Sequence, residues 1–199
     1  MAINLTKGGD KHAIDLRKIT GSLHIHANLN WVQDQKPGGF FSMFKQKQEA
    51  DLDLGCMYEL LDGKIGVIQP LGKNFGSKDR SPFIHLDKDD RSGAANDGEN
   101  MNVFKPELVK RILFFALIYE GAPDFITVKA NMFFKISNGE QVKLMLDNAG
   151  NNKKFCAAAL ITNINGKLEI QKEARYFDGH QLADRHYGFG FKWTVGSKD

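Results

Sequence analysis

Residues 87–99 carry the densest set of potential metal ligands in the chain. Their oxygen-bearing side chains are those of Asp87, Asp89, Asp90, Asn96, Asp97 and Glu99. Gly93 and Gly98 interrupt the run and allow the backbone to curl, so that several oxygens can converge. Because crowded carboxylates repel one another, a bound divalent cation would stabilise such a loop. Many hard oxygens in a flexible segment without a neighbouring thiol favour Ca²⁺ over Mg²⁺, zinc or copper.

This acidic loop does not fit the EF-hand pattern. An EF-hand loop beginning at Asp87 requires glycine at its sixth position and glutamate at its twelfth, where this chain has Ser92 and Gly98. The flanking segments are also predicted to be strands, not helices. Two interpretations remain open: a calcium loop between strands, or an exposed polar loop partly neutralised by Lys88 and Arg91.

Asp51 and Asp53 are the second acidic feature. They alternate with Leu52 and Leu54 at the start of a predicted strand, and a period of two places both carboxylates on one face. By itself this pattern describes an ordinary solvent-facing surface. Beside an acidic loop, however, the pair could form the second wall of a metal site.

The histidines and cysteines offer weaker chemistry. His24 and His26 share one face of a predicted strand, but no third ligand is evident, so a polar strand face is the favoured interpretation. Cys56 and Cys156 lie in separate apolar segments and are expected to be buried, reduced thiols. The sequence contains no Gly-x-Ser-x-Gly motif of the hydrolase nucleophile, no phosphate-binding P-loop and no glycine-rich dinucleotide-binding motif. We therefore predict that the chain is not an enzyme.

The pattern of elements indicates a mainly all-β fold. Residues 23–31 alternate apolar and polar side chains, as do residues 125–136, and residues 111–119 form an apolar run typical of a central buried strand. Asp62-Gly63, Asn138-Gly139 and Asn165-Gly166 each predict a hairpin turn. Strands at short spacing, about ten in all, predict an antiparallel β-sandwich with one or two short helices. One helix is expected from Asp178, as its N-cap, to about residue 186.

Length and composition indicate one globular domain over residues 1–199, with a polar and aromatic insertion at about 33–49. The net charge is +3, and the basic residues are scattered, so no nucleic-acid partner is expected. The N-terminus lacks the pattern of a signal peptide, and the longest apolar run is much shorter than the roughly 20 residues that span a bilayer. A cytoplasmic, soluble protein is expected.

Several motifs, in conserved order along the chain, resemble the TerD-domain family of bacterial tellurium-resistance and stress proteins, and most closely its TerA-type branch. They are the opening residues 3–9, the Asp-Leu-Asp of residues 51–53, the loop of residues 85–99, Ile-Tyr-Glu at 118–120, Arg-Tyr-Phe at 175–177, and Trp193.

The resemblance implies a calcium-binding β-sandwich. By this resemblance, the family's calcium ligands correspond to Asp53, Asp89, Asp97 and Glu99, and Asp51 is a further candidate. Asp90 and Asn96 stand at positions where this chain differs from the family but keeps an oxygen, whereas Gly98 replaces a carboxylate. We therefore expect one calcium ion, with two as the family alternative. Asp87 replaces a usual glycine and could compensate for the missing carboxylate.

The function expected from this resemblance is that of a calcium-binding module in tellurite resistance. It would act through protein partners of the same resistance system, and any membrane association would be indirect. The alternatives are a calcium-dependent membrane module, for which the aromatic residues 40–44 are suggestive, and a metal-assisted hydrolase. Because two buried cysteines do not supply exposed thiols for reducing tellurite, the role in resistance is expected to be indirect.

Overall fold

The computed structural model describes residues 2–16, 21–32, 49–87, 98–147 and 152–194. Within these ranges the chain forms thirteen strands in two sheets, a 3-10 turn at Pro106–Leu108 and an α-helix, α1, at His180–Tyr187. The all-β sandwich predicted from the sequence is confirmed. Apart from Glu49, the predicted insertion lies outside the described residues.

The first sheet has seven strands. In spatial order they are β1 (Ala2–Leu5), β11 (Gln141–Met145), β10 (Asn131–Ile136), β3 (Ile25–Asn30), β8 (Glu99–Val103), β7 (Ile84–Leu86) and β6 (Gly76–Ser77). The second sheet has six. Their order is β2 (Lys11–Asp15), β13 (Lys167–Phe177), β12 (Phe155–Ile164), β9 (Val109–Glu120), β4 (Asp51–Leu60) and β5 (Ile65–Ile68).

The three predicted hairpins are present as β4–β5, β10–β11 and β12–β13. Four details differ from the sequence-based expectation. The short strands β2 and β6 were not foreseen, and β1 pairs with β11 in parallel instead of antiparallel. The segment at 125–129 forms turns, so the strand expected from Phe125 begins at Asn131. The helix begins at His180 with Gly179 as its N-cap, not Asp178.

The main hydrophobic core lies between the two sheets. Phe114 of β9 meets Phe134 of β10 edge to face, with ring centroids 5.1 Å apart, so the sheets are in direct contact. Strand β9 lies between β12 and β4, which confirms the central buried strand predicted from residues 111–119. Its burial on both faces explains why its sequence shows a continuous apolar run and no alternation.

A smaller second core covers the outer face of the six-stranded sheet, where Phe115 and Phe155 pack beneath α1 and the residues that follow it. Asp184 of α1 is buried and fastens this segment. Its carboxylate accepts hydrogen bonds from the backbone N–H groups of Gly190 and Phe191, at 2.8 and 2.9 Å, and from Trp193 Nε1 at 2.9 Å. Among the described residues no helix is long and apolar enough to cross a membrane.

Candidate metal site

Asp51 and Asp53 lie at the start of β4 and are almost completely buried, with exposed fractions of 2% and 1%. Their neighbours Leu52 and Leu54 belong to the main core. Strand alternation therefore places both carboxylates on the opposite face of the sheet, as the sequence predicted. The solvent-facing alternative is wrong, because neither side chain reaches the surface.

Glu99 reaches the same strand from the other sheet. It is the first residue of β8 and alternates with the core residues Met101 and Val103, which directs its side chain into the sandwich. Its exposed fraction is 0%, and its Oε2 accepts a hydrogen bond from the backbone N–H of Leu54 at 2.6 Å. Glu99 thus bonds to the backbone of the residue that follows Asp53, at the edge of β4, whereas strand alternation directs the Asp51 and Asp53 carboxylates to the other face of that strand.

The position of Leu54 explains why Glu99 is needed there. Strand β5 pairs with β4 from Cys56 to Glu59, so among the described strands β4 has no neighbour on that side at Leu54. A buried N–H without an acceptor is costly, and a charged acceptor makes the stronger type of hydrogen bond. The Glu99 carboxylate therefore supports the strand that carries Asp51 and Asp53, in addition to any role as a ligand.

Gly98, where the resemblance implies a carboxylate, cannot carry a side chain. Its φ is +63°, and a Cβ atom would lie 2.1 Å from the carbonyl oxygen of Leu29. The backbones at Gly98 and Leu29 therefore lie too close together for a carboxylate side chain at position 98. This contact fixes the direction in which the chain enters Glu99.

The start of β4 is held by two contacts. Trp31 Nε1 donates a hydrogen bond to the carbonyl of Ala50 at 3.0 Å. On the other side, Gly121 has a φ of +72°, and a Cβ there would lie 1.9 Å from the carbonyl oxygen of Glu49. Both contacts position the backbone immediately before Asp51.

Asp87 has other partners. Its Oδ1 accepts a hydrogen bond from Asn102 Nδ2 at 3.0 Å and lies 3.3 Å from His85 Nδ1. Asn102 Oδ1 in turn lies 3.1 Å from His26 Nδ1. These contacts involve strands β3, β7 and β8 of the seven-stranded sheet and not the start of β4. They favour a structural role for Asp87 over the compensating role expected from the sequence.

The remaining predicted ligands, Asp89, Asp90, Asn96 and Asp97, lie outside the described residues. Within the described part of the chain, no group of three or more His, Cys, Asp or Glu side chains is arranged to hold a metal ion. The described residues therefore contribute carboxylates to a candidate site without completing one. Their donor atoms are all oxygens, which fits a hard cation such as Ca²⁺.

The other residues considered for chemistry have ordinary structural environments. His24 stacks on Phe104 with ring centroids 5.0 Å apart, and His26 bonds to Asn102, as expected for a polar strand face. Cys56 and Cys156 are both free and buried. Burial raises the pKa of each thiol far above its usual value, so both stay protonated at neutral pH.

No protein-family model matches the chain. A curated relative, the tellurium resistance protein TerA of Alcaligenes sp, is 34% identical over 199 residues, which cover 98% of this chain. The chain is a TerA-like member of the tellurium-resistance family. The family resemblance drawn from the sequence motifs is thereby confirmed. The chain spans 58% of the length of this TerA relative.

Proposed function

We propose that this TerA-like chain is a calcium-binding module of tellurite resistance. The ion would be held by Asp51, Asp53 and Glu99 together with side chains of the acidic loop, for which the candidates are Asp89, Asp90, Asn96 and Asp97. The observation that carries the proposal is the near-complete burial of Asp51 and Asp53 at the start of β4, together with the buried Glu99 that bonds to the same strand at Leu54.

The energetic argument concerns charge. Removing a carboxylate from water costs several kcal/mol unless opposite charge or hydrogen bonds compensate. Asp51 and Asp53 lie two residues apart on one strand face, and a divalent cation bound beside them would reduce the repulsion between like charges there. An oxygen-only donor set with a flexible acidic loop suits the six to eight ligands that Ca²⁺ takes, whereas Mg²⁺ demands a rigid octahedron.

The module would act by binding and not by catalysis. Direct reduction of tellurite by thiols requires reactive thiolates, and reactive cysteines are partly exposed with a lowered pKa. Cys56 and Cys156 have the opposite properties, since both are buried and burial raises the pKa of both. This supports an indirect contribution to resistance, which we propose is made through protein partners.

Isothermal titration with Ca²⁺ and Mg²⁺ tests the metal proposal. The wild-type chain is expected to bind Ca²⁺ more tightly than Mg²⁺. The Asp53→Asn variant, which keeps the shape of the side chain and removes its charge, is expected to lose at least about tenfold in affinity, the scale of change seen around metal sites. Asp87→Asn is the matched control and should retain wild-type affinity, because Asp87 bonds to Asn102 and His85.

Two results would contradict the proposal. One is the absence of Ca²⁺ binding by the folded wild-type chain up to millimolar metal. The other is equal Ca²⁺ affinity of the wild type and Asp53→Asn, which would show that the Asp53 carboxylate is not a ligand.

A further inference from the structure

The outer face of the seven-stranded sheet is unusually rich in asparagine. Six asparagines occur within the described strands of this sheet, namely Asn4, Asn28, Asn30, Asn100, Asn102 and Asn131. Apart from Glu99, the core-facing positions of the strands that carry these asparagines are apolar, so strand alternation places the amides outward. The described strands of the six-stranded sheet contain one asparagine, Asn163.

This concentration opposes the local preference of the backbone. Asparagine is depleted in β-strands, where β-branched and aromatic residues are favoured. Local backbone preference therefore does not explain why asparagine recurs on this face. Places where the sequence departs from local preference in this way are expected at functional sites.

Part of this face forms an open groove of about 290 Å³. It runs over β3, β10, β11 and β1, and its size is near the lower end of small-molecule sites. The side chains that line it include those of Asn28, Asn30, Asn131, Phe133, Gln141 and Lys143. The strand register places Phe133 in the middle of one row, between Asn28 and Lys143.

Two of the lining amides are held in place by the protein. Asn28 is 3% exposed, and its Nδ2 donates to Asn100 Oδ1 at 2.9 Å. The Nδ2 of Asn131 lies 3.3 Å from the carbonyl oxygens of both Asn30 and Lys129. These bonds make the lining rigid but use the N–H groups of both side chains, so the amides of the half-buried Asn30 and the exposed Gln141 are the ones available to a ligand.

We propose that this groove binds a neutral saccharide. Amide side chains both donate and accept hydrogen bonds, and sugar hydroxyls do the same. Phe133 supplies an apolar ring in the middle of the lining, which also includes Ala2 and Val142, and the C–H face of a pyranose can pack against that ring. Lys135 Nζ lies 5.2 Å from the centroid of that ring, on a long side chain that can move aside.

The charge of the lining supports a neutral ligand over an anionic one. Among the described residues that line the groove, Lys143 is the one that carries a charge. Phosphate recognition generally uses several cationic groups or a bidentate arginine. A lining of four amide side chains, apolar groups and a single charge instead suits a ligand that has an apolar face and uncharged polar groups.

The test is an NMR titration of the full chain with neutral trisaccharides. The probes are maltotriose, cellotriose, mannotriose and tri-N-acetylchitotriose, in a buffer with a chelator so that the outcome does not depend on calcium. At least one probe is expected to cause saturable shifts of the side-chain amide signals of Asn131 and Gln141 and of the Phe133 ring. Affinity in the millimolar range or tighter is expected for an open groove.

Three variants make the test specific to the groove. Phe133→Ala is expected to weaken binding about tenfold or more, since a buried aromatic contact is lost. Gln141→Ala is expected to weaken it about fivefold, the effect of one hydrogen-bonding group. Asn102→Ala is the control, because Asn102 lies on the same face but outside the groove lining, and it should bind like the wild type. Melting curves establish that each variant is folded.

The proposal is overturned if no trisaccharide shifts the groove signals at about 10 mM, a concentration that would reveal millimolar affinity. It is also overturned if trialanine or inorganic phosphate shifts those signals while the trisaccharides do not. Equal loss of affinity in Asn102→Ala and Phe133→Ala would place binding elsewhere and contradict it as well.

Discussion

Glu99 has two roles that substitution can separate. Its carboxylate accepts the Leu54 N–H bond and supplies negative charge to the proposed calcium site. Glu99→Gln keeps an acceptor and removes the charge. We expect its free energy of unfolding without metal to stay within about 1 kcal/mol of the wild-type value, the scale of one hydrogen bond. Saturating Ca²⁺ should stabilise the wild type by about 2.7 kcal/mol at a hundred times its Kd, and the variant by much less.

Urea denaturation with and without Ca²⁺ measures both effects for Glu99→Gln. Glu99→Ala is the comparison variant, because it also removes the hydrogen-bond acceptor and should be destabilised even without metal. If Ca²⁺ stabilised Glu99→Gln as much as the wild type, the carboxylate would have no role in binding.

Gly98 gives a second prediction at the residue scale. Gly98→Ala brings a Cβ atom to 2.1 Å from the Leu29 carbonyl oxygen, in addition to the strain of a positive φ. Gly63 is the matched control, since its φ is +84° and nothing lies within 4 Å of its Cβ position. Gly63→Ala should cost about 1–2 kcal/mol from the backbone conformation alone. Gly98→Ala should cost at least about 3 kcal/mol in thermal or urea unfolding, because strain and overlap add.

The sequence anticipated some of these residues better than others. Alternation with leucine was sufficient to place Asp51 and Asp53 together on one face of a strand. The inward direction of Glu99 depends on its register beside Met101 and on the buried edge of β4 at Leu54, where none of the described strands pairs on that side. A local sequence pattern contains neither. The requirement for glycine at position 98 comes from the backbone of another strand. The sequence therefore shows that a carboxylate is missing there but not why.

At the scale of elements, α1 packs on the six-stranded sheet through His180, which contacts the rings of Phe115, Phe155 and Trp193. Burial lowers the pKa of His180 from 6.5 to about 4. Between these values the unfolded chain binds a proton that the folded chain does not, so stability falls as pH decreases from 6.5 towards 4. Because a charged imidazole is disfavoured among these rings, protonation of His180 should weaken the packing of α1 on the sheet.

His180→Phe removes this titration and should show a smaller loss of unfolding free energy over the same pH range than the wild type. Urea denaturation at several pH values measures the difference. Identical pH profiles for the two proteins would show that His180 is not held neutral by the fold.

Local turn chemistry made three hairpins predictable, because Asp-Gly and Asn-Gly pairs fit two-residue hairpin turns. The pairing of β1 with β11 joins strands more than 130 residues apart, at Ile3 and Val142, and no hairpin constrains its direction. No local sequence pattern therefore predicts that these two strands run parallel. Strand β6 has two residues, too few for an alternating pattern to be visible.

At the scale of the whole molecule, the two cysteines lie in the interior of the six-stranded sheet, on β4 and β12. We expect the double variant Cys56→Ala, Cys156→Ala to retain tellurite resistance, provided that it folds, because buried protonated thiols do not react with the oxyanion. Minimum inhibitory tellurite concentrations in cells carrying either version measure this. Loss of resistance with an unchanged melting curve and cellular level would contradict an indirect role.

The central claim is that one ion links the start of β4 with Glu99 of the opposite sheet. A crystal structure of the full chain grown with Ca²⁺ tests this most directly. We predict an ion bound by oxygens of Asp53 and Glu99 at about 2.3–2.6 Å, with the acidic loop completing six to eight ligands. A well-ordered region around these carboxylates in saturating Ca²⁺, with no ion among them, would contradict the claim.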